Sequence, residues 1–505
     1  MKLRAKYIDM DAGEFTAVLH YNDCMEIGVR EQDRVKIKHE KSEITAILQT
    51  TDTVVRQGEV GILGQAFHTM NVKAGEEVEV IFTPRPVSVE HIRRKMDGGE
   101  LTPEEIREIV TDIVNRNLST VELAAYVTSL YINGMNLRET ADLTRAMVES
   151  GETIEFDRSP VFDFHSVGGC PGNKVTLLVV PIVAAAGLLI PKTSSRAISS
   201  AAGTADIVEV FAEVSFDSKQ LKSMAERIGG TMAWGGAMNL APADDLIIRV
   251  EYPLGIDPHP QLLASVMSKK KAVGADFLVI DIPMGEGTKV ESLEEAKNYA
   301  RDFIDLGELL GIRVECAITY GGQPVGRAVG PALEAKEALR LLEGADHPSS
   351  VITKSTGLAG MLLEMGGITP GEQRAEEILR SGKALEKFKE IVEAQGGNPD
   401  ISSEDIEVGQ FQQEIISTTC GYVNGISNKA IVRIARQAGA PKDKGAGLII
   451  HKKRGNRVER GEALCTIYAE NQAKLDRAAS MARSVQPFKI EGMVLAKLPS
   501  YGRII

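Results

Sequence analysis

The 505-residue chain reads as an α/β protein. A central α/β domain with a largely parallel sheet is joined by a helical domain, a C-terminal α+β domain and a small N-terminal β domain. Three observations predict this. Between about residues 161 and 345, apolar strand-type runs alternate with glycine-rich loops and helical patterns, as parallel sheets wrapped by helices require. The stretch before it carries helical spacing, and the first 84 residues carry short β-type runs. The length suits about three domains at roughly 150 residues each.

Residues 1–84 alternate TAVLHY, DRVKI, EITAILQTT and EVEVIF with turn residues and show no long helical period, which predicts a small β domain. Thr83-Pro84-Arg85-Pro86 reads as the linker out of it, because each proline biases the residue before it toward extended geometry. Residues 88–160 form the helical domain, which later helices could join. Thr102-Pro103-Glu104-Glu105 is a capping box with proline at the first helical position. Helical spacing follows in EIREIVTDIV, VELAAYVTSLYIN and LRETADLTRAMVES. In the α/β domain, residues 161–345, VFDFHSVGG leads into Val175–Ile190, the most apolar run of the chain. That run is shorter than the ~20 residues of a membrane span and is broken by Pro181 and Gly187, so it predicts a buried helix. FLVIDIP and RVECAITY read as strands, each followed by a helix. Residues 349–505 begin helical and end in β-type runs.

The charge balance narrows the partners. Lys plus Arg total 58 against 70 Asp plus Glu, a net charge of -12. That surplus argues against nucleic acid or an anionic membrane as partner, so an anionic ligand needs a local pocket. Cys24, Cys170, Cys316, Cys420 and Cys465 are scattered and contain no CxxC pair. Disulfide and zinc frameworks are therefore disfavoured and a reducing cytoplasm is expected. No H-E-x-x-H or G-x-S-x-G occurs, and neither a metal nor a cofactor is expected.

Four segments could carry chemistry. His165-Ser166-Val167-Gly168-Gly169-Cys170-Pro171-Gly172-Asn173-Lys174 lies between a strand and a helix, where glycines let backbone amides approach an anion. A plain tight turn would look the same. In Thr193-Ser194-Ser195-Arg196-Ala197-Ile198-Ser199-Ser200, continuing to Gly203-Thr204-Ala205-Asp206, dense hydroxyls and one guanidinium suit phosphate oxygens. A polar loop with helix caps is the alternative. Asp257-Pro258-His259 precedes a helix that carries Ser265 and the lysines Lys269, Lys270 and Lys271. There Asp257 could be a cap or an acid, and the lysines would ordinarily form a solvated face. Gly285-Glu286-Gly287-Thr288-Lys289 ends the run FLVIDIP, where Lys289 could meet an anion or simply project into water.

In this order and spacing the four segments resemble the thymidine and pyrimidine-nucleoside phosphorylase family. Ser194-Ser195-Arg196, Gly203-Thr204-Ala205-Asp206 and Glu209 are similar to that family's Ser-Gly-Arg, Gly-Gly-Thr-x-Asp and Glu signature. His165-Ser166-Val167-Gly168-Gly169 resembles its His-Ser-Thr-Gly-Gly loop, and Ala264 to Lys270 its Ser-Ser-Ile-Met-Ser-Lys-Lys helix. Gln323 to Gly330 matches a further shared segment. The similarity runs from about residue 88 to the C-terminus. It implies an active site in a cleft between helical and α/β domains and an assembly of at least a dimer. It also implies a phosphate site at Ser166, Gly168, Ser194 and Thr204, and base contacts from Ser265 and Lys269. The substrate-binding set it implies includes Ser195, Arg196, Ala197, Ile198, Ser199 and Lys289.

Three departures bear on the substrate. Phe164 stands where the family has a lysine, the first loop is one residue longer, and the family's base-contacting arginine aligns with Val250 beside Arg249. Together with the N-terminal β domain, they resemble the archaeal branch of AMP phosphorylases. The branch implies phosphorolysis of AMP, and of other nucleoside 5′-monophosphates, to free base and ribose 1,5-bisphosphate. Asp257 is then the proton donor to the leaving base, and Lys289 with Arg196 meets the 5′-phosphate. The competing readings are a pyrimidine nucleoside phosphorylase and a non-catalytic nucleotide-binding assembly protein. An anthranilate-phosphoribosyltransferase-like activity would want acidic metal-binding residues that the sequence does not clearly present.

Overall fold

The structure is a computed structural model that describes residues 1–197 and 200–494. The chain divides into two compact units. One comprises Met1–Gly151 with Ala241–Ser268, the other Glu152–Leu240 with Lys269–Ile505.

In the first unit, six strands close into a barrel: β1 (Lys2–Ile8), β2 (Thr16–His20), β3 (Arg34–His39), β4 (Ser42–Thr51), β5 (Glu59–Leu63) and β6 (Glu77–Thr83). Their order is β1-β5-β2-β4-β3-β6, with β6 returning antiparallel to β1. Alternation drives the closure: Val35 and Ile37 of β3, Val60 and Ile62 of β5, and Val78 and Val80 of β6 point into one buried core. Closing the sheet leaves no unpaired edge to aggregate. The expected β domain is thus a barrel. It also holds β1 and β5 and the short helices Tyr21–Ile27 and Gly64–Met70, which the sequence reading did not place. β1 is hard to see because lysine and arginine occupy its outward positions.

Four helices follow, Ser88–Met96, Pro103–Val114, Thr120–Asn133 and Leu137–Glu149. Three begin with capping boxes, Thr102 with Glu105, Ser119 with Glu122 and Asn136 with Glu139. The expected end of the helical domain at residue 160 moves to Gly151, and residues 241–268 join instead. Ala243, Ile247, Val250 and Ala264 of that later segment share one core with Ile106, Ile109 and Leu130. The barrel is tied to these helices by the buried Arg34, which donates to the Asn117 carbonyl at 3.0 Å and ion-pairs with the capping residue Glu122.

The second unit contains β7 (Phe162–Ser166), β8 (Ile190–Ser194), β9 (Gly230–Trp234), β10 (Phe277–Met284) and β11 (Arg313–Tyr320). β10 lies between β7 and β11 with all three parallel, and β8 pairs parallel with β9. A parallel bridge from Val161 to Leu189 links the two groups. The apolar run forms the buried helix Thr176–Ala185 and turns at Gly187 into β8. No helix among the described residues is long and apolar enough to cross a membrane.

The remaining strands are β12 (Ala328–Val329), β13 (Phe411–Ile416), β14 (Gly421–Ile426), β15 (Gly447–Ile450), β16 (Arg457–Val458), β17 (Ala463–Ala469) and β18 (Phe488–Glu491). They form two antiparallel sheets, β12-β15-β17-β13 and β16-β14-β18. The boundary expected near residue 349 does not follow the packing. Val351, Leu358, Leu362, Phe388 and Ile391, from the helices Ser349–Met365 and Lys383–Ala394, lie in the same core as Phe162, Phe164 and Leu177. Conversely β12, which precedes that boundary, belongs to a C-terminal sheet.

The buried pair Lys95–Glu139, 2.8 Å apart, yields a stability test within the first unit. Glu139 also accepts from the Leu101 and Asn136 amides, so it cannot move to solvent without uncapping a helix. Lys95→Ala is expected to destabilise this unit by about 3–5 kcal/mol, since it strands a buried charge. Denaturant unfolding of the variant against the parent checks this.

Candidate active site

The loops expected to bind ligand lie beyond the carboxyl ends of parallel strands in the second unit, where α/β sheets present their sites. β7 runs into Gly168 and Gly169, both at positive φ (94° and 84°). A Cβ on Gly169 would sit 2.5 Å from the backbone nitrogen of Lys289. The loop after β7 and the loop after β10 therefore touch through backbone, an approach that only glycine permits.

Asp281, fully buried in the middle of β10, secures this arrangement. It lies opposite Ser166 in the parallel ladder. Ser166 Oγ donates to its Oδ2 at 2.7 Å, Asn173 Nδ2 donates to Oδ2 at 3.2 Å and to Ser166 Oγ at 2.8 Å, and Thr319 Oγ1 donates to Oδ1 at 2.5 Å. Lys354 Nζ stands 2.9 Å from Oδ2. The Val167 amide donates to the Asp281 carbonyl at 2.9 Å. One carboxylate thus anchors both ends of the glycine loop.

The second loop leaves β8 at Ser194, whose Oγ donates to the Ala233 carbonyl at 3.2 Å. It folds back so closely that a Cβ on Gly203 would lie 2.5 Å from the Ser195 carbonyl oxygen. Asp206 Oδ2 accepts from the Ala197 and Gly203 amides at 2.7 and 2.9 Å and pins the two strands of the loop together. Ser195 is exposed, and Thr204, partly buried, opens the short helix Thr204–Val208. Ile198 and Ser199 lie outside the described residues.

Arg196 differs from expectation. Its two terminal nitrogens grip Glu209 at 2.7 and 2.6 Å, and its guanidinium lies over the Trp234 ring, 4.8 Å from the centroid. Lys444 reaches Glu209 as well, at 2.6 Å. The Arg196 hydrogen bonds, followed by those of Lys444, pull the Glu209 carboxyl down to about 2. In this state the guanidinium shapes the loop, and a ligand phosphate would have to compete with Glu209 for it.

Positive charge gathers elsewhere. Asp163, buried in β7, accepts an ion pair from Lys270 at 2.7 Å and has Lys192 at 3.8 Å. Lys192 also donates to the Thr193 carbonyl. Burial depresses His165 well below its ordinary value, helped by Lys270, Lys192, Lys269 and Lys289 in that order. The first, third and fourth sequence segments therefore meet around one imidazole. Lys289 itself is exposed. The expected solvated lysine face is corrected at Lys270, which is buried against Asp163. Sequence reasoning missed Asp163, Lys192, Asp281 and Lys354. The available signal was an aspartate inside an otherwise apolar strand, at VFDFHS and at FLVIDIP.

In the first unit, the fully buried Asp244 accepts from Ser265 Oγ at 2.8 Å and from Gln261 Nε2 at 3.1 Å. This orients Ser265 on the helix His259–Ala272; Lys269, four residues on, shares its face. Asp257 is exposed and lies two residues ahead of that helix.

Three family models match the chain: "Glycosyl transferase family, helical bundle domain" over residues 89–151, "Glycosyl transferase family, a/b domain" over 158–385, and "Pyrimidine nucleoside phosphorylase C-terminal domain" over 422–489. The crystal structure of anthranilate phosphoribosyltransferase (TrpD) from Thermus thermophilus shares the fold at a TM-score of 0.52 and 22% identity, covering 61% of this chain and 99% of that one. Sheet, loops and family models together define a glycosyl transferase. Full-length relatives are more specific. The chain is 50% identical to the AMP phosphorylase of Methanococcoides burtonii over 100% of both chains. It is 53% identical to AMP phosphorylase 1 of Archaeoglobus fulgidus over 100% of this chain and 99% of the relative. It is 52% identical to the AMP phosphorylase of Thermococcus kodakarensis over 99% of each. The chain belongs to the AMP phosphorylase family.

Trp234, the one tryptophan of the sequence, reports on the second loop through its stack on Arg196. Glu209 has a depressed pKa, so its contribution is complete above its ordinary value of 4.5 and is lost as pH falls through about 2. Because Glu209 is about one-third exposed, the stabilisation is modest. Trp234 emission is expected to hold until pH approaches about 2 and to change as Glu209 protonates there, and Glu209→Gln is expected to abolish that transition in an acid titration.

Proposed function

We propose that this protein cleaves AMP by phosphorolysis, releasing adenine and ribose 1,5-bisphosphate. The observation that carries the reading is the backbone approach of the glycine loop to the loop bearing Lys289, beside the buried lysines Lys192 and Lys270 gathered at Asp163. A chain of net charge -12 that concentrates cations there is suited to bringing two phosphates together. Identity of about half with AMP phosphorylases over the full length supports the substrate. Other nucleoside 5′-monophosphates belong to the same chemical class.

In this reading Ser166, Gly168, Ser194 and Thr204 hold inorganic phosphate. Lys289 meets the 5′-phosphate, and Ser195, Arg196, Ala197, Ile198 and Ser199 complete the second loop around the substrate. Ser265 and Lys269 face the base. A phosphate oxygen forms the new bond to C1′ as the bond from C1′ to the base nitrogen breaks. The bonding pair leaves with the base, and Asp257 delivers a proton to it, at N7 of a purine. Holding both reactants turns a bimolecular encounter into a nearly unimolecular one. The chemistry asks for no cofactor beyond phosphate. A homo-oligomer of at least two copies, acting in the cytoplasm, completes the reading, with the barrel available for larger assembly.

Release of adenine from AMP, dependent on added phosphate, is the direct test. Release of thymine or uracil from nucleosides without cleavage of AMP would instead favour a pyrimidine nucleoside phosphorylase, and binding without turnover a sensor. Asp257→Asn is expected to lower kcat on AMP by about 10²–10⁴, the usual range for general acid catalysis. Lys289→Met is expected to reduce kcat/KM for AMP far more than for adenosine, which lacks the 5′-phosphate. Steady-state kinetics on the two substrates checks this.

A further inference from the structure

The cluster Asp163–Lys192–Lys270 contains an electrical imbalance that the family resemblance does not address. All three side chains are buried, and among the described residues both lysines pair with the same carboxylate. With both ammoniums protonated, the cluster carries one positive charge more than it balances. A buried excess charge is costly unless a counter-charge arrives.

The position of the cluster says where that counter-charge belongs. Asp163 lies on β7 two residues before His165 and three before Ser166, at the root of the glycine loop. Lys192 lies on β8 and donates to the carbonyl of Thr193, the residue that leads into Ser194 and Ser195. Lys270 comes from the helix His259–Ala272. The charged and titratable groups around Lys192 are therefore Asp163 and His165 from β7 and Lys270 from that helix, with Lys269 and Lys289 bearing on the same His165. The cluster underlies both loops assigned above to phosphate.

We propose that bound phosphate completes this cluster electrically, so that Lys192 acts as a positioning residue that takes up a proton when phosphate occupies the loops after β7 and β8. The inference rests on the functional reading above. Burial, and next the Lys270 ammonium, push Lys192 down to about 7 in the ligand-free protein, while Asp163 opposes them. Above neutral pH the cluster thus relieves its imbalance by releasing the Lys192 proton. An anion beside it restores that proton, because opposite charge favours the charged form. The Lys192 ammonium then holds the Thr193 carbonyl, and with it the start of the second loop, more tightly when phosphate is present than when it is absent.

Titration calorimetry of inorganic phosphate into the full-length protein reads this directly, in two buffers of different ionisation enthalpy at about pH 8. There phosphate is chiefly the dianion, and His165, depressed well below its ordinary value, is neutral. The expected result is uptake of roughly half a proton or more per phosphate bound. In Lys192→Met the uptake disappears, and the rise of the phosphate KM with pH from about 6.5 to 8.5 flattens. A purely structural lysine would change stability and leave that slope intact. Lys192→Arg, which stays charged throughout, is expected to lose the uptake while keeping affinity. If neither variant folds, the wild-type measurement decides alone. Phosphate binding without proton uptake, in a protein that releases adenine from AMP, overturns this inference and leaves the functional reading standing. A protein that neither binds phosphate nor cleaves AMP overturns both.

Discussion

Asp281 occupies a position where a parallel strand covered on both faces ordinarily carries an aliphatic side chain. Its carboxylate takes hydrogen bonds from Ser166, Asn173 and Thr319 and an ion pair from Lys354, and its backbone carbonyl holds Val167. Without it the start of the loop after β7 would lose its side-chain anchor to the sheet. That anchor supports the backbone approach of Gly169 to Lys289. The buried acid is tolerable because its partners replace the water it has lost.

The same device appears twice more. Asp163 on β7 gathers Lys270 and Lys192, and Asp244 in the other unit orients Ser265 and Gln261. Asp281 and Asp244 hold Ser166 and Ser265, which face ligand in the functional reading, and Asp163 holds lysines beside the loops, so precision comes from a supporting layer rather than from the binding residues themselves. Arg196 and Glu209 follow a related logic. The most conspicuous cation of the second loop is committed to a carboxylate and to Trp234, and it acts on the loop's shape before it can act on any ligand.

Economy of a similar kind links the barrel to a helix, and two helices to one another, in the first unit. Glu122 caps a helix and also pairs with Arg34 of β3; Glu139 caps the next helix and pairs with Lys95. Caps are local features, but giving each a buried partner makes them depend on tertiary structure as well.

Much of the architecture was legible in the sequence because its causes are local. Period and flanking residues placed the strands FLVIDIP and RVECAITY and the helix Leu293–Leu310 between them, and the capping box marked Thr102. The glycine loops and the order of the four segments pointed to the site and to the family. Domain limits were harder to read, since the helices Ser349–Met365 and Lys383–Ala394 look alike whether they open a new domain or finish an old core. What only the tertiary structure decided was charge state and commitment. Lys269, Lys270 and Lys271 are equivalent as letters, yet Lys270 alone among them meets Asp163, 107 positions away, and is buried. Burial and pairing depend on which distant segments the fold brings together, and no local pattern contains that information.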